Sequence, residues 1–282
     1  MTWLYLTLLS VLISSIATIL QRVLMKGDKS NPYSYAVVFQ FLLGFLVLPV
    51  ALAKGTHFSL ASGNVYLLFL GAALWGVCQV FLFKALQTVE ASELTIVSGL
   101  RVIVTIGASI FFLGQVFTGR NVIATVFILA ATLLVVHVRK GFKFNKGLLY
   151  TLGVAVFGGL AIVVDSANVQ HYDVLAYSTY SNFLSGLFIL VIYPKTLQQW
   201  RHFVQPNFLV KMLPLAVFSA SQGVLYLLAL SYGGNTAQVG TIRQASVIVT
   251  VLFAIVFLKE RTNLGRKLVA AVLVTVGVFL LS

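Results

Sequence analysis

Long apolar runs alternate with short polar connectors along the whole chain, and this pattern predicts the secondary structure. The apolar runs cover residues 3–25, 34–53, 65–87, 94–113, 121–138, 147–169, 174–194, 208–231, 236–257 and 267–281. Turn formers and charges separate them, as in KGDKSNP, KGTHFSLASGN, RKGFKFNK and KERTNLGRK. Strands of a membrane barrel would show apolar and polar alternation over about ten residues. These runs are continuous over longer stretches, so we predict ten helices.

The composition indicates that these helices lie in a lipid bilayer. Hydrophobic residues make up 60% of the 282 residues, charged residues only 9%, and the mean hydropathy is +1.01. A soluble domain has about a quarter of its residues charged, and a helix needs about 20 apolar residues to cross the hydrocarbon core. The fold class we predict is therefore an all-α integral membrane protein with ten transmembrane helices. The first run lacks a basic leading segment and an Ala-x-Ala cleavage site, so we interpret it as a retained helix.

The two halves of the chain resemble each other. At an offset of 145 residues, VIVTIGASIFFLGQ (102–115) aligns with VIVTVLFAIVFLKE (247–260), and at an offset of 142, YAVVFQFLLGFLVL (35–48) aligns with YSTYSNFLSGLFIL (177–190). We predict two five-helix repeats, residues 1–144 and 145–282, within one transmembrane domain. Because five is odd, the second repeat enters the membrane from the opposite side, which is typical of the inverted repeats of transporters.

Basic residues are distributed unequally between the two sides of the membrane. The connectors after the odd-numbered helices hold Lys26, Lys29, Arg139, Lys140, Lys143, Lys146, Lys195, Arg201, Lys211, Lys259, Arg261, Arg266 and Lys267, whereas the others hold Lys54 and Arg120. Short loops rich in Lys and Arg face the cytoplasm. We therefore predict a multi-pass protein of the cell membrane, inner or plasma, with both termini extracytoplasmic. These charges lie beside helix ends, where lipid headgroups and not nucleic acid are the expected neighbours.

Four basic residues lie inside the predicted spans. Arg22 and Lys84 are close to span ends, and we expect them to reach the interface. Arg101 and Arg243 lie at mid-span, where an arginine exposed to lipid costs about 2.5–3.5 kcal/mol. Helical spacing places small polar residues on the same faces, namely Ser98 and Thr105 in the first repeat and Ser246 in the second. We therefore expect both arginines to line a water-filled cavity and bind a carboxylate; the alternative is that they bind backbone carbonyls and fix helices together.

Other polar and aromatic residues at depth are candidates for the same cavity. The amides are Gln40, Gln79, Asn182, Gln222 and Gln244, and the amphipathic rings are Trp75, Tyr177, Tyr180 and Tyr226. For each amide, hydrogen bonding between helices is an equal alternative. Asp165 is the one carboxylate clearly inside a span; it is a candidate for coupling transport to protons, although its place near a helix end favours an interfacial position.

At this level of detail the sequence is similar to a known family. A Thr/Ser-Ala turn precedes the fourth helix of each half (VEASELT and GGNTAQVG), and a Leu-Lys-Glu-Arg-Thr turn follows the ninth (FLKERTNLGR). Together with ten helices in two inverted halves, these motifs resemble the drug/metabolite transporter (DMT) superfamily, in particular its EamA-like exporters. The resemblance implies alternating access around a central cavity and export of small metabolites, often amino acids.

Other function classes are weaker interpretations. The sequence has no His-Glu-x-x-His or Gly-x-Ser-x-Gly motif and a single cysteine, so we predict no enzyme activity, no metal site and no cofactor. A channel or a structural membrane protein remains an alternative, as does a carrier of sugars or nucleotide sugars in the same superfamily. We expect a small-molecule substrate, no nucleic-acid partner, and a monomer or weak homodimer in the bilayer.

Overall fold

The computed structural model describes residues 2–25, 31–60, 64–113, 119–136, 146–203, 205–232, 239, 242–243, 246–259 and 264–280. All regular secondary structure within these ranges is helical. The helices are α1 (Thr2–Met25), α2 (Pro32–Ala53), α3 (Val65–Thr88), α4 (Ala91–Ser98), α5 (Arg101–Leu113), α6 (Gly119–Val136), α7 (Lys146–Asn168), α8 (Val174–Ile192), α9 (Thr196–Phe203), α10 (Pro206–Ser231), α11 (Ser246–Phe257) and α12 (Leu264–Phe279).

Six of these helices are long and apolar enough to cross a membrane, namely α1, α2, α3, α7, α8 and α10. Shorter apolar helical segments cover Ile96–Phe112 and Ser246–Phe257. Large apolar side chains such as Phe111, Val191 and Val210 are exposed on the outside of the bundle, where lipid is the matching solvent. The prediction of an all-helical membrane protein is therefore confirmed, and the count of ten spans stays a prediction.

The fourth predicted span, 94–113, is not one continuous α-helix. It is divided into α4 and α5, and Gly99 and Leu100 lie between them. At this junction the backbone N–H groups of Gly99 and Leu100 bond to the carbonyls three residues earlier, at 3.1 Å each, which tightens the turn. Arg101 consequently begins a helix, whereas the sequence had placed it in the middle of one.

The connector between the seventh and eighth predicted spans contains a short helix that the sequence analysis missed. Helix α9 has eight residues, and its sequence TLQQWRHF has no long apolar run. Its first turn packs on the start of α2, where the Ser34 hydroxyl lies 3.2 Å from Thr196 Oγ1 and donates to Gln199 Oε1 at 2.9 Å.

Two of the long helices, α2 and α8, begin with a side-chain cap. Asn31 precedes α2 and its side chain accepts from the Tyr33 N–H at 2.9 Å, with Pro32 at the first helical position. Asp173 caps α8 in the same way, accepting from the Leu175 N–H at 2.9 Å. These caps fix where each helix enters the bundle, and therefore which turn of α8 reaches its centre.

The packing is organised by helix pairs from different halves of the chain. The most extensive contacts join α3 with α7, α2 with α8, α1 with α10, and α6 with α12. One large apolar cluster fills the end of the bundle that contains the start of α2, the end of α3 and the start of α10, with Tyr35, Phe39 and Phe83 fully buried. A second cluster, around Leu68, Tyr177 and Tyr226, lies toward the opposite end.

Candidate functional site

A central cavity lies between the two apolar clusters. Its empty volume is about 630 Å³, which includes open solvent. The lining residues are Gln40, Leu43, Trp75, Gln79, Asp165, Tyr177, Ser178, Ser181, Asn182, Ser219, Ala220, Gln222, Gly223, Tyr226, Leu227 and Arg243. They come from α2, α3, α7, α8 and α10, together with Arg243 just before α11. Both halves of the chain therefore contribute to this cavity.

The cavity wall carries a buried carboxylate. Asp165, on the last turn of α7, is 2% exposed. Its Oδ1 accepts a 2.5 Å hydrogen bond from the Tyr177 hydroxyl, and the Trp75 indole N–H lies 3.0 Å from Oδ1 and 3.1 Å from Oδ2. Asp165 is thus covered by α3 and α8, which supply two hydrogen-bond donors, and its position relative to the membrane interface stays a prediction.

Asn168, one turn after Asp165, contacts both α3 and Tyr177 on α8. Its side-chain amide donates to the Leu67 carbonyl at 3.1 Å and lies 3.5 Å from the Tyr177 hydroxyl. Gly71 on α3 allows the close approach, since a Cβ there would meet the Tyr177 hydroxyl oxygen at 3.2 Å and Val164 at 3.2 Å. The Asp165 side chain is thus fixed by contacts from two neighbouring helices.

The cavity wall also carries a guanidinium group. Arg243 Nη2 donates to Gln222 Oε1 at 2.6 Å, and its Cζ lies 4.2 Å from the centre of the Tyr226 ring. The ring lies against the face of the guanidinium, and a planar acceptor such as a carboxylate binds a guanidinium at its edge. Arg243 and Asp165 lie near enough for their charges to interact, although each is held by neutral groups.

Several polar atoms at the cavity wall are buried without a hydrogen-bond partner among the described residues. They are Oε1 of Gln40, Oε1 of Gln79 and the hydroxyl of Tyr226. Buried polar groups are nearly always hydrogen-bonded, and each one left unpaired costs about 1–3 kcal/mol. Three of the eight buried side-chain atoms without a partner among the described residues belong to residues that line this cavity, where a polar ligand would pair them.

Arg101 lies close to this cavity but is not among the residues that line it. Its guanidinium packs on α7 at Gly158, where a Cβ would meet Arg101 Nε at 2.7 Å and Cζ at 2.9 Å. The Nε is buried and has no partner among the described residues. Electrostatically Arg101 acts on Tyr226 and on Arg243, so two positive charges lie near the same ring.

The remaining predicted residues occupy different places. Gln40, Trp75, Gln79, Tyr177, Asn182, Gln222 and Tyr226 all line the cavity with Arg243 and Asp165, whereas Ser98, Thr105, Tyr180 and Ser246 do not. Thr105 donates to the Gly159 carbonyl at 3.1 Å and joins α5 to α7. Tyr180 packs edge-on against Phe58, with ring centres 5.7 Å apart, and the Ser246 carbonyl lies 3.4 Å from the Ser15 hydroxyl. Gln244 lies outside the described residues.

The sequence analysis missed part of the lining. Ser178 and Ser181 lie between Tyr177 and Asn182 on α8, and Ser219 lies one turn before Gln222 on α10. Helical spacing of three and four residues from Tyr177, Asn182 and Gln222 would have found these serines. Leu43 and Leu227 carry no such signal, because buried leucines occur throughout the bundle.

The two basic residues expected to reach the membrane interface, Arg22 and Lys84, donate hydrogen bonds to other protein groups. Arg22 Nη1 donates to the Leu86 carbonyl, and Lys84 Nζ donates to the Tyr33 hydroxyl at 2.7 Å. Within the described part of the chain, no group of three or more His, Cys, Asp or Glu side chains is arranged to hold a metal ion.

Comparisons with known proteins indicate the family to which the chain belongs. No curated protein matches the chain. A solved structure described as "Crystal structure of protein" matches 99% of this chain and 94% of its own, with a TM-score of 0.67 and 15% sequence identity, which indicates a shared fold. The sequence model of the EamA-like transporter family matches residues 1–137 and 145–282. The chain belongs to the EamA-like transporter family, within the DMT superfamily of membrane transporters.

Proposed function

We propose that the protein is a secondary transporter that exports amino acids or related carboxylate-bearing metabolites by alternating access around the central cavity. The observation that carries the proposal is Arg243, a permanent cation at the wall of a cavity deep in an apolar bundle. A buried charge of this kind is retained where it has a function. A carboxylate offers the two coplanar oxygens that a guanidinium binds best.

Two inverted repeats, residues 1–144 and 145–282, are part of the proposal. The proposed repeat pairs each helix with the one five spans away, so that α3 corresponds to α10, α7 to α1 and α5 to α11. The α3–α7 contact then corresponds to the α10–α1 contact, and the α5–α7 contact to the α11–α1 contact. All four contacts are present. The offset of 145 aligns Arg101, the first residue of α5, with Ser246 on α11. The paired contacts support the repeat, and a repeat supports movement of one half against the other.

Arg101 contributes a second positive charge next to the proposed substrate site. It interacts electrostatically with Arg243 and with Tyr226, so it favours an anion in the cavity without lining it. Asp165 is the carboxylate of the cavity wall and is the group we propose for proton coupling. We place the protein in the cell membrane, as a monomer or weak homodimer, with both termini extracytoplasmic because of the loop charges.

The test is substitution of Arg243 by Gln, which retains hydrogen bonding and removes the charge. A charge-assisted hydrogen bond contributes about 1.5–3 kcal/mol, so binding of a carboxylate-bearing substrate should weaken about 10- to 150-fold. Lys should restore only part of the affinity, because it lacks the planar pair of donors. Binding and liposome uptake are measured on protein that elutes as a single species in size-exclusion chromatography.

The Arg101→Gln variant is the matched comparison, because it removes an equal charge that lies off the cavity wall. Its effect on affinity should be smaller than that of Arg243→Gln. If both variants fold and carry amino acids with unchanged affinity, the carboxylate site does not exist. A carrier of sugars or nucleotide sugars then becomes the better interpretation, since neutral sugars need no arginine.

A further inference from the structure

The cavity holds charges of both signs that are not paired with each other. Among the described residues, the Asp165 oxygens accept from the neutral groups of Trp75 and Tyr177, and the Arg243 guanidinium contacts the neutral Gln222 amide and the Tyr226 ring. A buried charge is stabilised best by an opposite charge together with hydrogen bonds. Among the described residues, neither Asp165 nor Arg243 is in direct contact with an opposite charge.

The Asp165 carboxylate retains capacity for another hydrogen-bond donor. An ionised carboxylate has about four acceptor positions. Tyr177 uses one on Oδ1, and the single indole proton of Trp75 is shared between Oδ1 at 3.0 Å and Oδ2 at 3.1 Å. Oδ2 thus receives half of one hydrogen bond from the described residues, and an additional N–H or O–H can be accommodated there.

Two further acceptors without donors line the same cavity. Gln40 Oε1 on α2 and Gln79 Oε1 on α3 are buried and have no partner among the described residues. Gln79 lies one helical turn after Trp75, so its side chain is on the face of α3 that bears the indole. A primary ammonium group has three N–H donors and one positive charge. One carboxylate oxygen and two amide oxygens match its three N–H donors, and the carboxylate supplies the opposite charge.

We infer that Asp165, Gln40 and Gln79 form a subsite for the ammonium group of the substrate, so that the transported compound is a zwitterion whose carboxylate binds Arg243. This inference rests on the proposed function, because it names the second half of the substrate that the same cavity holds. A proton on Asp165 abolishes the ion pair with the ammonium group. Proton binding and substrate binding therefore compete for this carboxylate.

Matched ligands that lack one charge at a time test the subsite. The probes are L-leucine, 4-methylpentanoate, which lacks the amine, and 3-methylbutylamine, which lacks the carboxylate. The variant is Asp165→Asn, which preserves shape and an acceptor for Tyr177. It should weaken leucine binding about 10- to 150-fold and leave the binding of 4-methylpentanoate unchanged or stronger. Arg243→Gln should weaken leucine and 4-methylpentanoate but leave 3-methylbutylamine unaffected.

Asp173→Asn is the matched control, since it removes a carboxylate at the start of α8, away from the cavity wall, and Asn caps a helix as well as Asp. Its ligand preferences should equal those of the original protein. Gln79→Met provides a second variant that leaves Asp165 in place, for the case in which Asp165→Asn does not fold. It removes one acceptor, and leucine should bind several-fold more weakly while 4-methylpentanoate does not change.

Several outcomes would overturn the inference. Equal weakening of leucine and 4-methylpentanoate by Asp165→Asn assigns Asp165 a positioning role, and loss of pH-driven accumulation with unchanged ligand preference assigns it to proton coupling alone. Failure of all three probes to bind the original protein also rejects the zwitterion site. Failure of the proposed function gives a different result, because Arg243→Gln then leaves the binding of 4-methylpentanoate unchanged.

Discussion

The contact between α5 and α7 depends on Gly159, and substitution of this glycine by Ala provides a sharp test of the packing. An ideal Cβ on Gly159 would lie 2.8 Å from Val104 Cβ and 2.9 Å from the Arg101 carbonyl oxygen. Carbon atoms pack at about 3.5–4.0 Å, so α5 must move away by roughly 0.7 Å. Neither neighbouring atom is the end of a flexible side chain, and the 3.1 Å bond from Thr105 to the Gly159 carbonyl lies at the same contact.

The expected loss of stability follows from three contributions. Overpacking costs about 1–3 kcal/mol, and weakening one hydrogen bond costs about 0.5–1.5 kcal/mol. Replacement of Gly by Ala inside a helix offsets up to about 1 kcal/mol. With the full helix-propensity gain the net destabilisation is about 0.5–3.5 kcal/mol, which lowers the apparent Tm by about 1–14 °C at about 2–4 °C per kcal/mol.

Gly107→Ala is the matched control, because a Cβ at Gly107 on α5 meets nothing within 4 Å. Its apparent Tm should stay the same or rise, since only the helix propensity changes. Thermal unfolding of the purified variants in one detergent, followed by size-exclusion chromatography, gives the comparison. An apparent Tm for Gly159→Ala equal to that of Gly107→Ala would refute the close packing of α5 on α7.

Two further predictions concern the orientation and the charges at one end of the bundle. A cysteine placed in RKGFKFNK, in a background without Cys78, should react with a membrane-impermeant thiol reagent only after cells are opened; labelling of intact cells contradicts the cytoplasmic assignment of this connector. Lys267 on α12 is paired with Glu90 at the start of α4, and the two side chains are only 4% and 24% exposed. Lys267→Met alone should destabilise the protein by about 1–3 kcal/mol because a partly buried carboxylate loses the Lys267 ammonium group, and adding Glu90→Gln should recover part of this loss. Thermal unfolding of the two single variants and the double variant measures the coupling, and strictly additive effects would show that the pair contributes nothing.

Hydropathy and helical spacing were sufficient to find the long membrane-crossing helices and most of the cavity. The runs of apolar residues determine the helices because backbone groups in hydrocarbon must bond within their own segment. Amides and aromatic rings at depth, such as Gln79, Gln222 and Tyr226, were found because polar residues in an apolar helix are rare and turn away from lipid. These are properties of one helix at a time, and a single sequence contains them.

Only the tertiary structure decided which of these residues meet. Arg101 and Arg243 have the same signal in the sequence, yet Arg243 lines the cavity whereas Arg101 packs on Gly158. Asp165 near the end of α7 indicated an interfacial position, but Trp75 and Tyr177 reach it from two other helices. The contacts of a side chain depend on the rotation and tilt of helices far apart in the chain. That geometry is set by the packing of the whole bundle, including close approaches at glycines, and no local pattern records it.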